Sequence, residues 1–93
     1  MEVGEAKFLR RTRFEIIGEI LALAADGAGG AAKTSIVYRA NLNFNVVNRY
    51  LDLLSKEGLV SIRKGSAVRY RITEKGRMFL DAYKNLKSVA ENL

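Results

Sequence analysis

The spacing of the apolar residues changes once along this chain, and that change constrains its fold more than any other feature. Two sets of apolar residues recur at the three- and four-residue intervals of amphipathic helices: Ile17, Ile20, Leu21 and Ala24, and then Val47, Tyr50, Leu51 and Leu54. Further along, the interval falls to two, and apolar residues alternate with basic ones over residues 68–72. Helices are therefore expected first, with a β-hairpin after them.

The boundaries of the first two helices follow from residues that cap or break helices. Thr12, with Glu15 three positions on, matches a capping box, so the first helix is expected to begin there. Three glycines within residues 26–30 indicate a loop after it. Their spacing is not that of a nucleotide-binding loop, so we interpret this segment as a turn. A short second helix is expected to begin near Thr34 or Ser35.

A tight turn at residues 41–43 is expected to separate the second helix from a third. Asn43 is of the residue type that caps helices, and the apolar spacing predicts a helix from about Phe44 to Glu57. Gly58 is expected to end it in the left-handed conformation that glycine adopts easily. The second and third helices should therefore form a helix–turn–helix unit.

The alternating segment predicts a hairpin and then one more helix. The first strand is expected over residues 59–64, with Val60 and Ile62 on one face. The second strand, over residues 68–72, should turn its apolar side chains inward and its arginines outward. Thr73 can cap a last helix that continues to the C-terminus.

This order of elements predicts the fold class. Three helices, a two-stranded hairpin and a final helix make a mainly helical α+β fold, the winged helix-turn-helix, in which the hairpin is the wing. We predict a basic N-terminal arm over residues 1–10, a winged-helix DNA-binding domain over residues 11–73, and a coiled-coil dimerisation helix over residues 74–93.

Composition excludes several classes of function. The 93 residues include no Cys and no His, which removes disulfides, thiolate metal sites and histidine-based catalysis. We therefore expect no enzyme, no cofactor and no metal. No basic segment precedes an apolar one at the start, so no secretory signal is expected. The longest apolar stretch is too short to span a membrane, which favours a cytoplasmic, nucleoid-associated protein.

The basic charge is concentrated in the middle of the chain. The whole chain carries a net charge of +6, and residues 33–77 alone carry +7, from ten basic and three acidic residues. A surface that only needs to be solvated would distribute its charges more evenly. The concentration indicates a face that binds a polyanion such as nucleic acid.

The third helix is the candidate for reading DNA bases. Asparagine can form a pair of hydrogen bonds with adenine and arginine with guanine, so its candidate base contacts are Asn45, Asn48 and Arg49. Asn43, which caps the helix, is also expected to contact DNA. The alternative is an exposed face that is merely polar, but asparagine has a low helix propensity and is a poor choice for that purpose. Asp52 on the same face argues slightly against contact, because its carboxylate repels phosphate.

The hairpin and the second helix are the candidates for binding phosphates. The wing residues with this predicted role are Arg63, Lys64, Arg69 and Arg71. The alternative is an edge strand protected from aggregation by its charge. Lys33, Thr34 and Arg39 are expected to hold the flanking phosphates from the second helix, while Tyr38 suits either contact or packing.

The last helix carries an apolar seam. Its members, at alternating intervals of four and three, are Phe79, Tyr83, Leu86, Ala90 and Leu93. Packing of Phe79 and Tyr83 on the first helix of the same chain is one alternative. Because the seam continues to the last residue, we favour a homodimer through this helix, with an antiparallel pair preferred.

Two segments also support a resemblance to a known family. The stretch KTSIVYRANLNFNVVNRYLDLLSKEGLV, followed by YRITEKGRMFL, resembles the small basic dimeric winged-helix DNA-binding proteins of archaea, known from Sulfolobus. The resemblance extends from about Thr12 to the C-terminus. It implies a winged-helix head, an antiparallel coiled-coil dimer through the C-terminal helix, and binding to double-stranded DNA in a chromatin-type or regulatory role.

The leading hypothesis is therefore a homodimer that binds double-stranded DNA, as a transcriptional regulator or nucleoid protein. The third helix would lie in the major groove and the basic wing on phosphates. The alternative is a winged-helix adaptor that binds another protein, since the fold alone does not determine function. The concentrated positive charge favours DNA, because an adaptor has no need of it.

Overall fold

The computed structural model describes residues 11–93, which form four helices and one two-stranded sheet. The elements in chain order are α1 (Arg13–Ala25), α2 (Lys33–Ala40), α3 (Phe44–Lys56), β1 (Val60–Lys64), β2 (Val68–Ile72) and α4 (Glu74–Glu91). This order confirms the predicted fold class. Helix α2 begins slightly earlier than predicted, and its N-cap, Ala32, makes no side-chain hydrogen bond. The predicted basic arm over residues 1–10 lies outside the described residues.

Helix α1 begins as its sequence predicts. The Thr12 side chain accepts a hydrogen bond from the Glu15 amide, and the Glu15 carboxylate accepts one from the Thr12 amide, which completes the capping box. The helix buries Ile17, Ile20, Leu21 and Ala24. Its apolar face therefore packs into the core in the predicted register.

The turn between α2 and α3 also has the predicted form. Asn41 ends α2 in the left-handed conformation with φ 56°, which asparagine tolerates better than most residues. Asn43 then caps α3, because its side-chain oxygen accepts a hydrogen bond from the Val46 amide at 2.8 Å. Val47, Leu51 and Leu54 of α3 are buried, so its opposite face is exposed.

The wing and α4 are both fastened to the end of α3. Gly58 has φ 77° and ends the helix, as predicted. The Thr73 hydroxyl donates to the Gly58 carbonyl at 2.6 Å, and the Lys75 ammonium donates to the Glu57 carbonyl at 2.7 Å. A Cβ at Gly76 would collide with the Leu59 carbonyl oxygen. This junction therefore requires glycine at position 76, and it fixes where α4 begins.

The sheet has an additional partner that the sequence pattern does not predict. Strands β1 and β2 pair antiparallel, with Val60 opposite Ile72. On the other edge of β2, Ala31 forms an isolated bridge with Tyr70: the Ala31 amide donates to the Tyr70 carbonyl at 2.9 Å, and the Tyr70 amide donates back at 2.8 Å. The α1–α2 loop is therefore joined to the wing.

The hairpin is packed only at its base. Val60 and Tyr70 are buried, whereas Ile62 is 43% exposed and Val68 is 46% exposed. The prediction that the apolar residues of the second strand turn inward is therefore wrong for Val68. Ile62 shares a face with Val60, as predicted, but it is exposed on that face. The outer half of the hairpin extends past the helices, where no core is present to cover either of its faces. The helical core, by contrast, includes fully buried Ile20, Leu21, Ile36, Val47, Leu51 and Leu54.

Candidate nucleic-acid interface

The exposed face of α3 presents the polar residues that the sequence predicts there. Asn45 and Arg49 are exposed, and Asn48 is half-buried. Arg49 also lies beside Arg13 of α1, at a cleft of about 310 Å³ that Tyr50 and Leu53 complete. A basic residue from another helix thus adds to the positive potential next to α3.

Asn43 has a structural task in addition to its predicted role in DNA contact. Its side-chain oxygen is engaged by the Val46 amide. That bond uses one of the two lone pairs of the oxygen and leaves the other, together with the two N–H donors of the side-chain amide. Capping is therefore compatible with the predicted contact of Asn43 with DNA, which stays a prediction.

The register of the wing brings its arginines to one face. Arg63 lies directly opposite Arg69, and Ser61 lies directly opposite Arg71. Because directly opposed residues share a face and successive residues alternate, Arg63, Arg69 and Arg71 are on the same side of the hairpin. Lys64 pairs with Val68 and belongs to the other face, at the tip. Arg63, Lys64 and Arg69 are exposed, and Arg71 is half-buried.

The three predicted contacts on α2 lie in different surroundings. Thr34 is exposed and Lys33 half-buried at the start of the helix. Arg39, at its other end, donates a hydrogen bond to the Asp26 carboxylate at 2.9 Å. It also lies in a cleft lined by residues of α1 and α4. This ion pair reduces the positive field of Arg39, and its predicted contact with phosphate stays a prediction.

Arg11, near this surface, has a role that the sequence does not signal. Arg11 donates hydrogen bonds to the carbonyls of Ala40 and Asn41, at 2.7 and 3.0 Å, and pairs with Glu19. It therefore caps the C-terminus of α2, where carbonyls lack helical partners. Tyr38 is 78% exposed, so the structure does not bear out the alternative that it packs in the core.

The predicted seam of α4 divides into two parts. A Cβ at Gly18 of α1 would come within 2.5 Å of the Tyr83 ring, and the Phe79 ring stacks on Phe14 of α1 with centroids 6.4 Å apart. These two seam residues thus pack on their own chain, which was the alternative interpretation. Leu86 is 70% exposed, and Ala90 and Leu93 are exposed as well.

The apolar surface at this end of the molecule is broader than the seam. Phe14, Phe79, Ala82, Tyr83 and Leu86 line a groove of about 180 Å³ whose walls are almost entirely apolar. Val89, one residue outside the predicted seam, is 60% exposed. Helix α1 therefore contributes Phe14 to a surface that the sequence pattern assigned to α4 alone.

Two negative findings concern the part of the chain that the structure describes. No helix between residues 11 and 93 is long and apolar enough to cross a membrane. Within the same residues, no group of three or more carboxylates could hold a metal ion.

The helix–turn–helix of α2 and α3, followed by a β-hairpin, defines this molecule as a winged-helix protein. A family model described as winged helix-turn-helix matches residues 10–91. The chain belongs to the winged helix-turn-helix family.

Individual proteins also resemble this chain in sequence. The uncharacterized protein MJ0287 of Methanocaldococcus jannaschii is 34% identical over 68 residues, which are 73% of this chain and 65% of that protein. The match thus spans slightly less than two thirds of the relative. Among solved structures, Sso10a-2, a DNA-binding protein from Sulfolobus solfataricus, is 31% identical, with a TM-score of 0.75 over 88% of this chain and 84% of that one.

A more distant structure shares the fold. A transcriptional regulator of the MarR family from Rhodococcus sp. RHA1 has a TM-score of 0.76 and 23% identity, over 92% of this chain and 61% of that one. At that identity the likeness shows the fold alone.

Proposed function

We propose that this protein binds double-stranded DNA as a homodimer and acts as a transcriptional regulator or a nucleoid protein. In this proposal, residues 11–73 contact DNA, with α3 in the major groove and the wing on phosphates. Residues 74–93 hold two copies together. The similarity to Sso10a-2, which is described as a DNA-binding protein, supports the proposal but does not carry it.

The observation that carries the proposal is the pair of arginines that face each other across the wing. Arg63 lies directly opposite Arg69. Side chains in such a pair begin about 4.5–5.5 Å apart, and like charges there destabilise a sheet. The ion pairs within residues 11–93 involve neither arginine. A bound phosphate would neutralise this repulsion, so the arrangement supports a wing that binds an anionic backbone.

The position of α3 agrees with a role in the major groove. Its buried face fixes the helix on the core, and Asn45 and Arg49 extend from the exposed face within its first two turns. Residues near the N-terminus of a recognition helix are those that contact base edges in this class of domain. Arg13, beside Arg49, adds a phosphate contact on the flank of the helix.

The exposed apolar surface of α4 supports the homodimer. Leu86, Val89 and Leu93 are exposed, and they continue the groove that begins at Phe14. Large exposed apolar surfaces mark interaction sites in proteins of this size. Two-fold symmetry would bury this surface on both copies at once, and the seam spacing suits a pair of packed helices.

Duplex DNA binding, measured by fluorescence anisotropy at several salt concentrations, tests the proposal. If each head neutralises five phosphates, the logarithm of the affinity should fall against the logarithm of the salt concentration with a slope of about −4 to −5. An unrelated competitor duplex separates the two roles: weak discrimination indicates a nucleoid protein, and strong discrimination indicates a regulator. No binding at low salt would contradict the proposal and would favour a protein partner for the basic face.

A further inference from the structure

A groove of about 380 Å³ lies between the wing and the loop that joins α1 to α2. We call residues 26–30 the glycine loop. One wall consists of Ala28 and Gly29 from this loop, and the other includes Arg63, Arg69 and Arg71 from one face of the wing, with Lys64 at the tip of the hairpin. None of the described residues that line the groove is acidic. The groove therefore has a strongly positive wall opposite a wall with almost no side chains.

The glycine loop is fastened to the wing. Gly30 is buried and has φ 83°, and a Cβ there would come within 2.5 Å of the Tyr70 carbonyl oxygen. Only glycine fits this approach without strain. The two backbone hydrogen bonds between Ala31 and Tyr70 follow directly in the chain. The separation of the two walls is thus set by β2 itself.

The glycine loop also holds Arg69 in position. Its guanidinium Nη1 donates to the Gly30 carbonyl at 3.1 Å. A guanidinium has five N–H donors, so this bond leaves most of them for an anion. Because this bond already restricts the Arg69 side chain, less of its conformational entropy is lost when an anion binds. Arg69 is therefore oriented before any ligand arrives.

We propose that this groove takes one sugar–phosphate strand of the bound DNA, with the glycine loop as its second wall. The positive wall binds the phosphates, and Ala28 and Gly29 permit the strand to approach the backbone of the loop closely. The inference rests on the proposed function and extends it, because the sequence assigns this loop no role beyond a turn. It makes the glycine loop part of the binding surface, and it makes Gly30 a positioning residue for Arg69.

Substitutions at Gly29 test this inference without disturbing the fold. The backbone of Gly29 does not have positive φ, and a Cβ there would have only the Arg69 Cδ nearby, at 4.0 Å. Gly29→Lys adds a cation to the bare wall, Gly29→Asp adds an anion, and Gly29→Asn matches Asp in size without its charge. The measurement is anisotropy with one duplex at several salt concentrations.

The DNA affinities of the three variants should differ according to the charge of the new side chain. Gly29→Lys should bind about threefold tighter or more at low salt, with a salt slope steeper by about one, because it adds one phosphate contact. Gly29→Asp should bind about threefold weaker or more, and Gly29→Asn should stay near the wild type. The control Ser88→Asp makes the same change in net charge as Gly29→Asp, but on the side of α4 opposite Leu86. It should have little effect on binding.

The outcomes distinguish this inference from the proposed function. If Arg63→Ala weakens binding while Gly29→Lys and Gly29→Asp both leave the affinity and slope unchanged, the groove is not occupied and the inference is wrong, although DNA binding stands. If all three variants weaken binding equally, the effect is steric and the inference is also wrong. If the wild-type protein binds no duplex at low salt, both proposals are overturned. A gain of affinity in Gly29→Lys supports the inference even if Gly29→Asp unfolds.

Discussion

The wing and the second half of α4 both extend from the packed core, yet they present opposite chemistry. Residues 61–69 are exposed throughout, and so are residues 84–93. The wing carries arginines that oppose each other across the hairpin, whereas the end of α4 carries Leu86, Val89 and Leu93. Equal exposure therefore does not mean equal function. The charged element suits a polyanion, and the apolar element suits a second copy of the chain.

The wing and α4 also differ in how they are attached to the core. The wing is held at its base by Tyr70 and along one edge by Ala31. Helix α4 is held over its first half by Gly76 and by the packing of Tyr83 against Gly18. Beyond Tyr83 it extends for more than two further turns with every residue exposed. The wing is thus held at its base and along one edge, whereas none of the described residues buries the end of α4.

The largest expected effect comes from placing a charge on the exposed apolar surface at the end of α4. Leu86→Lys should split the dimer, because it would bury an ammonium without a partner. The sedimentation mass should halve. Affinity for a duplex long enough for both heads should fall about 100-fold, since linked binding sites gain about 10²–10⁴ in avidity.

The matched control is Ser88→Lys, which adds the same charge on the opposite side of α4. It should leave the mass unchanged. If Leu86→Lys sediments like the wild type, or if the wild type is itself a monomer, the end of α4 is not a dimer surface.

An intermediate effect is expected from Arg49 of α3, which belongs neither to the wing nor to the end of α4. Arg49→Ala should weaken binding to a preferred sequence by about 10-fold or more, because a bidentate contact with guanine contributes about 1–3 kcal/mol of discrimination. Binding to an unrelated sequence should change much less. Site selection on the wild type, followed by anisotropy on both duplexes, measures the difference.

Arg49→Lys keeps the charge but lacks the planar fork, so it should lose the same discrimination while it retains the salt slope. An equal loss on every sequence would place Arg49 with the wing residues, as a phosphate contact.

The smallest expected effect comes from the wing. Arg63→Ala should weaken binding a few-fold on every sequence and should flatten the salt slope by about one, because it removes one phosphate contact. Lys84→Ala, which removes the same charge from α4, is the control and should leave the slope unchanged. A sequence-dependent loss in Arg63→Ala would instead mean that the wing reads bases.

Local signals in the sequence were sufficient for most of the fold. The capping box at Thr12, the cap at Asn43 and the left-handed Gly58 are all present where the pattern predicts them. Each depends on residues three or four positions apart, so the information lies within one turn of helix. The hairpin register follows in the same way from the short connection between its strands.

The candidate site was less predictable, because it depends on which elements meet. Spacing alone left open whether Tyr83 packs on the first helix, and it did not indicate that Arg39 pairs with Asp26. The inward direction of Val68 was predicted wrongly for a related reason. Alternation shows which residues share a face, but only the packing shows whether a core lies against that face.

The sequence by itself determined the elements, their order and the concentration of positive charge, because these are properties of neighbouring residues and of composition. Only the tertiary structure decided that Arg11 caps α2 and that Gly30 holds Arg69. These contacts join residues 29 and 39 positions apart, respectively. Contacts over such separations form only after the core has packed the helices and the wing together, so no local pattern encodes them.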